Sequence, residues 1–311
     1  PPLPPPSWAP PRGGALWRGA SRSRPHPTRT LTELGMDSLR AVELLSHLDQ
    51  DPTLAHLDLV HLLTQRLGEL LDTLRSPPSD RTLATWRQDA KLDEDILPKR
   101  HEPSTGDSVL LTGATGFLGS HVAIELLERT DATVQCLVRG YDAKARLLQV
   151  LREHPGWQES WRGRIEVLVG DLDQTDLGLT PARLDEVAST LGAIYHCAAM
   201  VNWVYPYAAL RQANVEGTRT LIRLACKASA SLTYVSTLAA CWSFGHDVMV
   251  DETSDPTQHM DGIHLEYVRS KAVAESLVRQ AGSRGLRVAI LRPGLIFSHA
   301  GTGAHRPGDF L

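Results

Sequence analysis

Leu110-Leu111-Thr112-Gly113-Ala114-Thr115-Gly116-Phe117-Leu118-Gly119 is the stretch that decides how this chain reads. A short apolar run leads into three glycines spaced GxxGxxG, and an amphipathic pattern follows at Val122, Ile124, Leu126 and Leu127. Strand, glycine turn and helix in that order build a phosphate cradle. Gly113 permits the turn off the strand. Gly116 lets the main chain approach a pyrophosphate with no Cβ in the way, and Gly119 lets the helix pack close to the sheet. The helix start adds free N–H groups and a partial positive charge. Thr115, Phe117 and Leu118 complete the loop expected to touch a dinucleotide. Glycine triplets also serve purely structural turns; here the flanks on both sides favour the cofactor.

Working outward, β-like runs at Val109–Thr112, Thr133–Val138, Ile165–Val169, Ala193–Tyr195, Leu232–Val235 and Val288–Leu291 alternate with helical patterns. That alternation predicts an α/β fold with a doubly wound parallel sheet of Rossmann type. The second run ends at Arg139, where an acidic residue would favour NAD. A guanidinium suits a 2′-phosphate instead, so the expected cofactor is NADPH, with Arg146 as a helper. Asp171 and Leu172 follow the third run and are expected near the adenine. Ala198, in Tyr195-His196-Cys197-Ala198-Ala199, is small enough for a cofactor to lie close.

Tyr267-Val268-Arg269-Ser270-Lys271 places a phenol and an ammonium at i and i+4, on one helix face. The ammonium is expected to lower the phenol from its usual pKa of ~10 and make Tyr267 a proton donor. Thr237, ending Tyr234-Val235-Ser236-Thr237, is expected to donate to a developing oxyanion, with Ser236 as a substitute. Asn214 is expected to position main chain near Lys271.

Composition bounds the rest. The 311 residues are 42 % hydrophobic and 22 % charged, with net charge −4, so neither nucleic acid nor an anionic membrane is expected as partner. No apolar run reaches membrane-helix length, and the N-terminus lacks the apolar stretch of a signal peptide. Four cysteines without a CxxC pair read as reduced thiols of a cytoplasmic protein. No Cys/His spacing predicts a metal site. Residues 1–30 are rich in Pro and Arg without an acidic residue and read as disordered. Leu39, Val42, Leu45 and Leu48 then recur at helical spacing behind Asp37 and Ser38. Residues 76–104, with Pro77, Pro78, Pro98 and Pro103 among charges, read as linker.

Together, LLTGATGFLG, CLVRG, GDL, YHCAAMVNWVYPY, NVEGT, YVST, YVRSK and LRPGLIF resemble the extended short-chain dehydrogenase/reductase family. Within it they are most similar to the thioester reductase domains of polyketide synthases, nonribosomal peptide synthetases and carboxylic acid reductases. Leu34-Gly35-Met36-Asp37-Ser38-Leu39 resembles the attachment motif of an acyl or peptidyl carrier, with Ser38 bearing 4′-phosphopantetheine. The resemblance implies NADPH-dependent reduction of a carrier-bound thioester to an aldehyde, with Thr237, Tyr267 and Lys271 as catalytic set. It leaves open whether reduction continues to the alcohol. Implied partners are upstream synthase or synthetase modules and a phosphopantetheinyl transferase. The expected division is a disordered segment at 1–30, a partial carrier domain at 31–75, a linker at 76–104 and the reductase domain at 105–311, with its substrate lobe largely missing. A free-standing extended dehydrogenase or epimerase and an inactive cofactor-binding fragment stay as alternatives.

Overall fold

The computed structural model describes residues 81–99, 104–203, 205–241, 250–263 and 265–296, with scattered positions between 29 and 71 and at 298, 300 and 303. Six strands form the sheet: β1 (Ser108–Thr112), β2 (Thr133–Val138), β3 (Ile165–Val169), β4 (Leu191–His196), β5 (Ser231–Val235) and β6 (Val288–Leu291). Every neighbouring pair is parallel, in the order β3-β2-β1-β4-β5-β6. Order therefore reverses between β1 and β4, the position at which sheets of this kind form a ligand crevice beyond the carboxyl ends of the strands.

Among the described residues, seven α-helices from residue 81 onward accompany the sheet: α1 (Arg81–Asp89), α2 (Phe117–Arg129), α3 (Ala143–Arg152), α4 (Pro181–Thr190), α5 (Tyr207–Arg211), α6 (Gly217–Ala228) and α7 (Glu266–Ser283). Burial on both faces explains why β1 is apolar without alternation. Val109, Leu111, Val134 and Cys136 pack against Ile124 and Leu127 of α2 and Leu147 and Leu151 of α3. Leu110, Leu168, Ile194 and Leu232 pack against Val187 of α4, Leu221 and Ala225 of α6, and Val273 and Leu277 of α7. None of the described helices is long and apolar enough to cross a membrane.

Two expected boundaries are corrected. The linker reading of 76–104 fails over residues 81–99, where α1 is followed by a strap that packs Trp86, Ala90, Leu92 and Ile96 into the main core. Its charges and free backbone groups have partners far along the chain. The buried Asp89 carboxylate accepts from Arg211 Nε and Nη2, each at 2.7 Å, and from the Tyr207 hydroxyl at 2.9 Å. Arg219 donates to the carbonyls of Asp89 and Lys91, both at 2.9 Å, and Arg284 to those of Leu92 at 2.8 Å and Ile96 at 3.1 Å. The Arg269 guanidinium lies 3.4 Å from the centre of the Trp86 ring. The disordered reading of 1–30 also stops short: Thr30 pairs with Arg66, and Thr30 and Glu33 exchange hydrogen bonds of 3.1 and 3.0 Å in a capping box.

Asp89→Ala removes the shared acceptor, leaving the Tyr207 hydroxyl unpaired beside the core and Arg211 with Glu216 alone. It is expected to lower unfolding free energy in urea by about 2–3 kcal/mol, below a fully buried pair because Arg211 is part-exposed.

Candidate functional site

The glycine loop turns off β1 at the carboxyl end of the sheet, and two of its glycines have a measurable reason to be glycine. Gly113 has φ +79°, and a Cβ there would lie 2.8 Å from Ala198 N at the end of β4. A Cβ on Gly119 would lie 2.1 Å from the Gly113 carbonyl oxygen, so the first turn of α2 rests on the loop itself. Gly116 is exposed, caps α2 without a side-chain hydrogen bond, and leaves the helix start open toward the crevice. The first helical N–H groups lack intrahelical acceptors, as at any helix start. These features fit a pyrophosphate: a cradle that side chains would fill, under an uncapped helix N-terminus.

Other predicted residues gather at the same strand ends. Arg139 follows β2 and is exposed. Arg146 pairs with Asp142 at 2.9 Å and also donates to the Arg139 carbonyl, bracing that turn. Asp171 follows β3; one carboxylate oxygen accepts from Asp173 N at 3.1 Å. The Leu172 side chain is buried in the core against Gly217, so only its main chain is available to a ligand. Thr115, Phe117, Leu118 and Ala198 are half-buried around the loop. Ser38 lies outside the described residues.

Lys271 is buried, and its ammonium donates to the Val235 carbonyl at 2.6 Å and sits 4.1 Å from the centre of the Tyr234 ring. Burial pulls its pKa down to about 7. Tyr267 lies one turn earlier, half-buried, with its ring 5.9 Å from that of Trp203. Here an expectation is corrected: burial raises the Tyr267 phenol above its ordinary pKa, while the Lys271 ammonium donates to the Val235 carbonyl and faces the Tyr234 ring. Tyr267 is therefore held protonated at neutral pH. Thr237 Oγ1 accepts from Ala239 N–H at 3.3 Å, which leaves its own proton free to donate. Ser236 does not qualify as a substitute. Its hydroxyl is buried and donates to Glu275 Oε2 at 2.6 Å.

Two networks escaped the sequence reading. Glu275, fully buried on α7, also binds Arg279 Nε at 2.9 Å and Arg292 Nη2 at 2.6 Å, tying β5, α7 and the segment after β6 together. The second network runs behind the crevice. Ala198 N–H donates to Thr112 Oγ1 at 3.1 Å, and Thr112 Oγ1 meets His196 Nδ1 at 2.8 Å. His196 Nε2 meets Thr218 Oγ1 at 3.0 Å, and Thr218 gives its own proton to the Asn214 carbonyl at 2.6 Å. The hydroxyl directions leave one tautomer: Nδ1 accepts and Nε2–H donates. Burial, aided by the Lys271 charge, pushes the His196 pKa down to about 3, which keeps it neutral. Asn214 then holds Met200 N at 2.7 Å, Met200 O at 3.1 Å and Ser270 Oγ at 2.9 Å. The expected positioning role of Asn214 has this geometry, and a one-turn π-helix at Gln212–Glu216 presents it. The HxAA and NVEGT segments held the signal, but which polar atoms would meet was not readable from spacing.

His196 gives a pH signature. Its folded pKa is depressed below the unfolded ~6.5, so the folded state binds the proton less tightly and loses stability as pH falls toward about 3. His196→Gln keeps a donor and an acceptor without titrating. Between about pH 6 and 4 it is expected to flatten the stability–pH curve by about 1.4 kcal/mol per pH unit, measured by urea unfolding.

Comparison with known proteins places this geometry. The male sterility protein family of NAD-binding domains matches residues 111–311. Glycine betaine reductase ATRR of Emericella nidulans is 37 % identical over 308 residues, covering 92 % of this chain and 24 % of that protein. The isonitrile lipopeptide synthase of Streptomyces coeruleorubidus is 37 % identical over 300 residues, covering 90 % of this chain and 20 % of that protein. The chain thus spans a quarter or less of these relatives. Among solved structures, the terminal R domain from the myxalamid PKS-NRPS biosynthetic pathway superposes with TM-score 0.67 at 38 % identity, covering 72 % of this chain and 59 % of that one. A thiolation-reductase di-domain from an archaeal non-ribosomal peptide synthetase shares the fold, at TM-score 0.62 and 22 % identity, covering 90 % of this chain and 61 % of that one. By that match over residues 111–311 the chain belongs to the male sterility family of NAD-binding oxidoreductase domains.

Proposed function

We propose that this chain reduces a carrier-bound acyl or peptidyl thioester to an aldehyde using NADPH, and so releases the product of upstream synthetase modules. One observation carries the reading. The glycine cradle and Arg139 lie at the ends of β1 and β2, while Thr237 and Tyr267 lie past β5, across the same crevice. A dinucleotide lying along that crevice spans both. Arg139 supplies donors and positive charge for the 2′-phosphate, and the start of α2 receives the pyrophosphate. Bound there, the reduced cofactor supplies a hydride for the thioester carbonyl carbon.

The chain's own residues handle the oxygen. Thr237 has a free hydroxyl proton, and Tyr267 is a neutral phenol at neutral pH, as a group with a pKa at or above ~10 must be. Both donate hydrogen bonds to the oxyanion as charge develops, and such donors are each worth about 3–4 kcal/mol in the transition state. Tyr267 then passes its proton to that oxygen. The Lys271 ammonium on the same helix face favours the phenolate left behind. Collapse of the hemithioacetal breaks the carbon–sulfur bond, releasing aldehyde and returning the thiol. The thiol belongs to a 4′-phosphopantetheine arm placed on Ser38 by a phosphopantetheinyl transferase, in the cytoplasm. Relatives named as a betaine reductase and a lipopeptide synthase support a place within a multidomain synthetase.

Tyr267→Phe is expected to lower kcat about 10²- to 10⁴-fold while leaving NADPH affinity within about twofold. Loss of the reduced-nicotinamide absorbance with an acyl-pantetheine thioester, beside calorimetric NADPH titration, checks both; comparable turnover in the variant removes Tyr267 from the mechanism. Arg139→Ala is expected to weaken NADPH by about 10- to 100-fold and NADH far less, since a charge-assisted hydrogen bond is worth about 1.5–3 kcal/mol. Equal weakening of the two would separate Arg139 from the 2′-phosphate.

A further inference from the structure

The loop after β4 places an apolar surface against the catalytic phenol. Asn214 grips Met200 through both its N–H and its carbonyl, and Asn202 Oδ1 accepts from Tyr205 N at 2.8 Å, so the loop is held from both sides. It carries Trp203 onto the Tyr267 ring, with centroids 5.9 Å apart and planes inclined by 54°. Trp203 nonetheless remains 43 % exposed, and Val201 and Tyr205 beside it are exposed as well. The second oxyanion donor has a similar neighbour. Leu238, next to Thr237, is 53 % exposed and is tied to the Pro293 carbonyl at 3.0 Å, two residues before the exposed Leu295. No charged residue occurs from Cys197 to Leu210 or from Ser236 to Cys241. Arg292, near Leu295, spends its charge on Glu275.

We propose that Trp203 is the acyl-side wall of the site and selects an uncharged, apolar acyl group over an anionic one. This rests on the thioester reading above and deepens it. A thioester carbonyl held between Thr237 and Tyr267 must direct its acyl substituent along one of the two flanking surfaces. Among the described residues both are apolar, and a carboxylate laid there would be desolvated with no described cation on either surface to receive it. The indole gives an aliphatic or aromatic chain a flat surface to cover, continuous with the Tyr267 ring.

The test compares wild type, Trp203→Ala and Trp203→Phe with acetyl-, octanoyl- and succinyl-pantetheine as substrates. It adds calorimetric binding of the octanoyl amide analogue, which cannot be reduced by loss of thiol. Wild type is expected to prefer octanoyl to succinyl. Trp203→Ala is expected to lose about tenfold in kcat/KM for octanoyl and in affinity for the amide, with acetyl changed by less than about threefold. Trp203→Phe should restore most of the loss, and NADPH affinity should stay constant across the three proteins as the check on folding. An unchanged octanoyl-to-acetyl ratio in Trp203→Ala, or equal use of succinyl and octanoyl by wild type, overturns the proposal. If wild type turns over no thioester yet binds the amide in a Trp203-dependent way, the wall stands and the reductase reading falls. Amide binding indifferent to Trp203 overturns the wall whatever the turnover.

Discussion

Two backbones almost touch where the strand order reverses. A Cβ on Gly113 would meet Ala198 N at 2.8 Å, and one on Gly119 would meet the Gly113 carbonyl oxygen at 2.1 Å. The rest of the site depends on that closeness. It lets β1 and β4 pair from Val109 and Ala193 up to Thr112 and His196, after a register shift at Ser108. It also brings the Thr112 hydroxyl under the β4 loop, where it bonds both Ala198 N and His196. From there the polar chain reaches Thr218, Asn214 and Ser270, and Ser270 donates to the Tyr267 carbonyl at 2.7 Å. The loop that would hold the cofactor and the helix that bears the phenol are therefore linked by hydrogen bonds with fixed directions. Their energetic value lies less in any single bond than in the cost of leaving a buried partner unmet.

Electrostatics at the far end follow from burial. Lys271 has no carboxylate in direct contact; a carbonyl and an aromatic face receive its ammonium, and its pKa is drawn down to about 7. Tyr267 is shifted up rather than down. Tyr267 therefore stays a neutral phenol, with Lys271 one helical turn away on the same face.

Much of this was legible in the sequence because parallel strands buried on both faces write themselves as short apolar runs. β2, β3 and β6 match their expected limits, and β1, β4 and β5 differ only by one or two residues at their ends. The glycine loop and the Tyr267–Lys271 spacing were legible for a similar reason: their geometry is local. The strap at 81–99 was not. Its charges and Pro98 read as linker, and the residues that neutralise and bond it, Arg211, Arg219 and Arg284, stand more than a hundred positions away. Ser236 stood as a substitute for Thr237 until Glu275, itself invisible as a partner in the sequence, claimed it. The direction of the Tyr267 shift was missed because side chains sharing a helix face need not share a hydrogen bond.

The central claim is spatial: the crevice lays a dinucleotide so that its nicotinamide ring ends beside Tyr267. Isotope-filtered nuclear Overhauser measurements on the chain with ¹³C-labelled tyrosine and bound NADPH test it directly. The account predicts cross-relaxation between the nicotinamide C4 protons and the Tyr267 ring, removed in Tyr267→Phe. Contacts from those protons to other tyrosines alone, or none to Tyr267 under saturating cofactor, would contradict it.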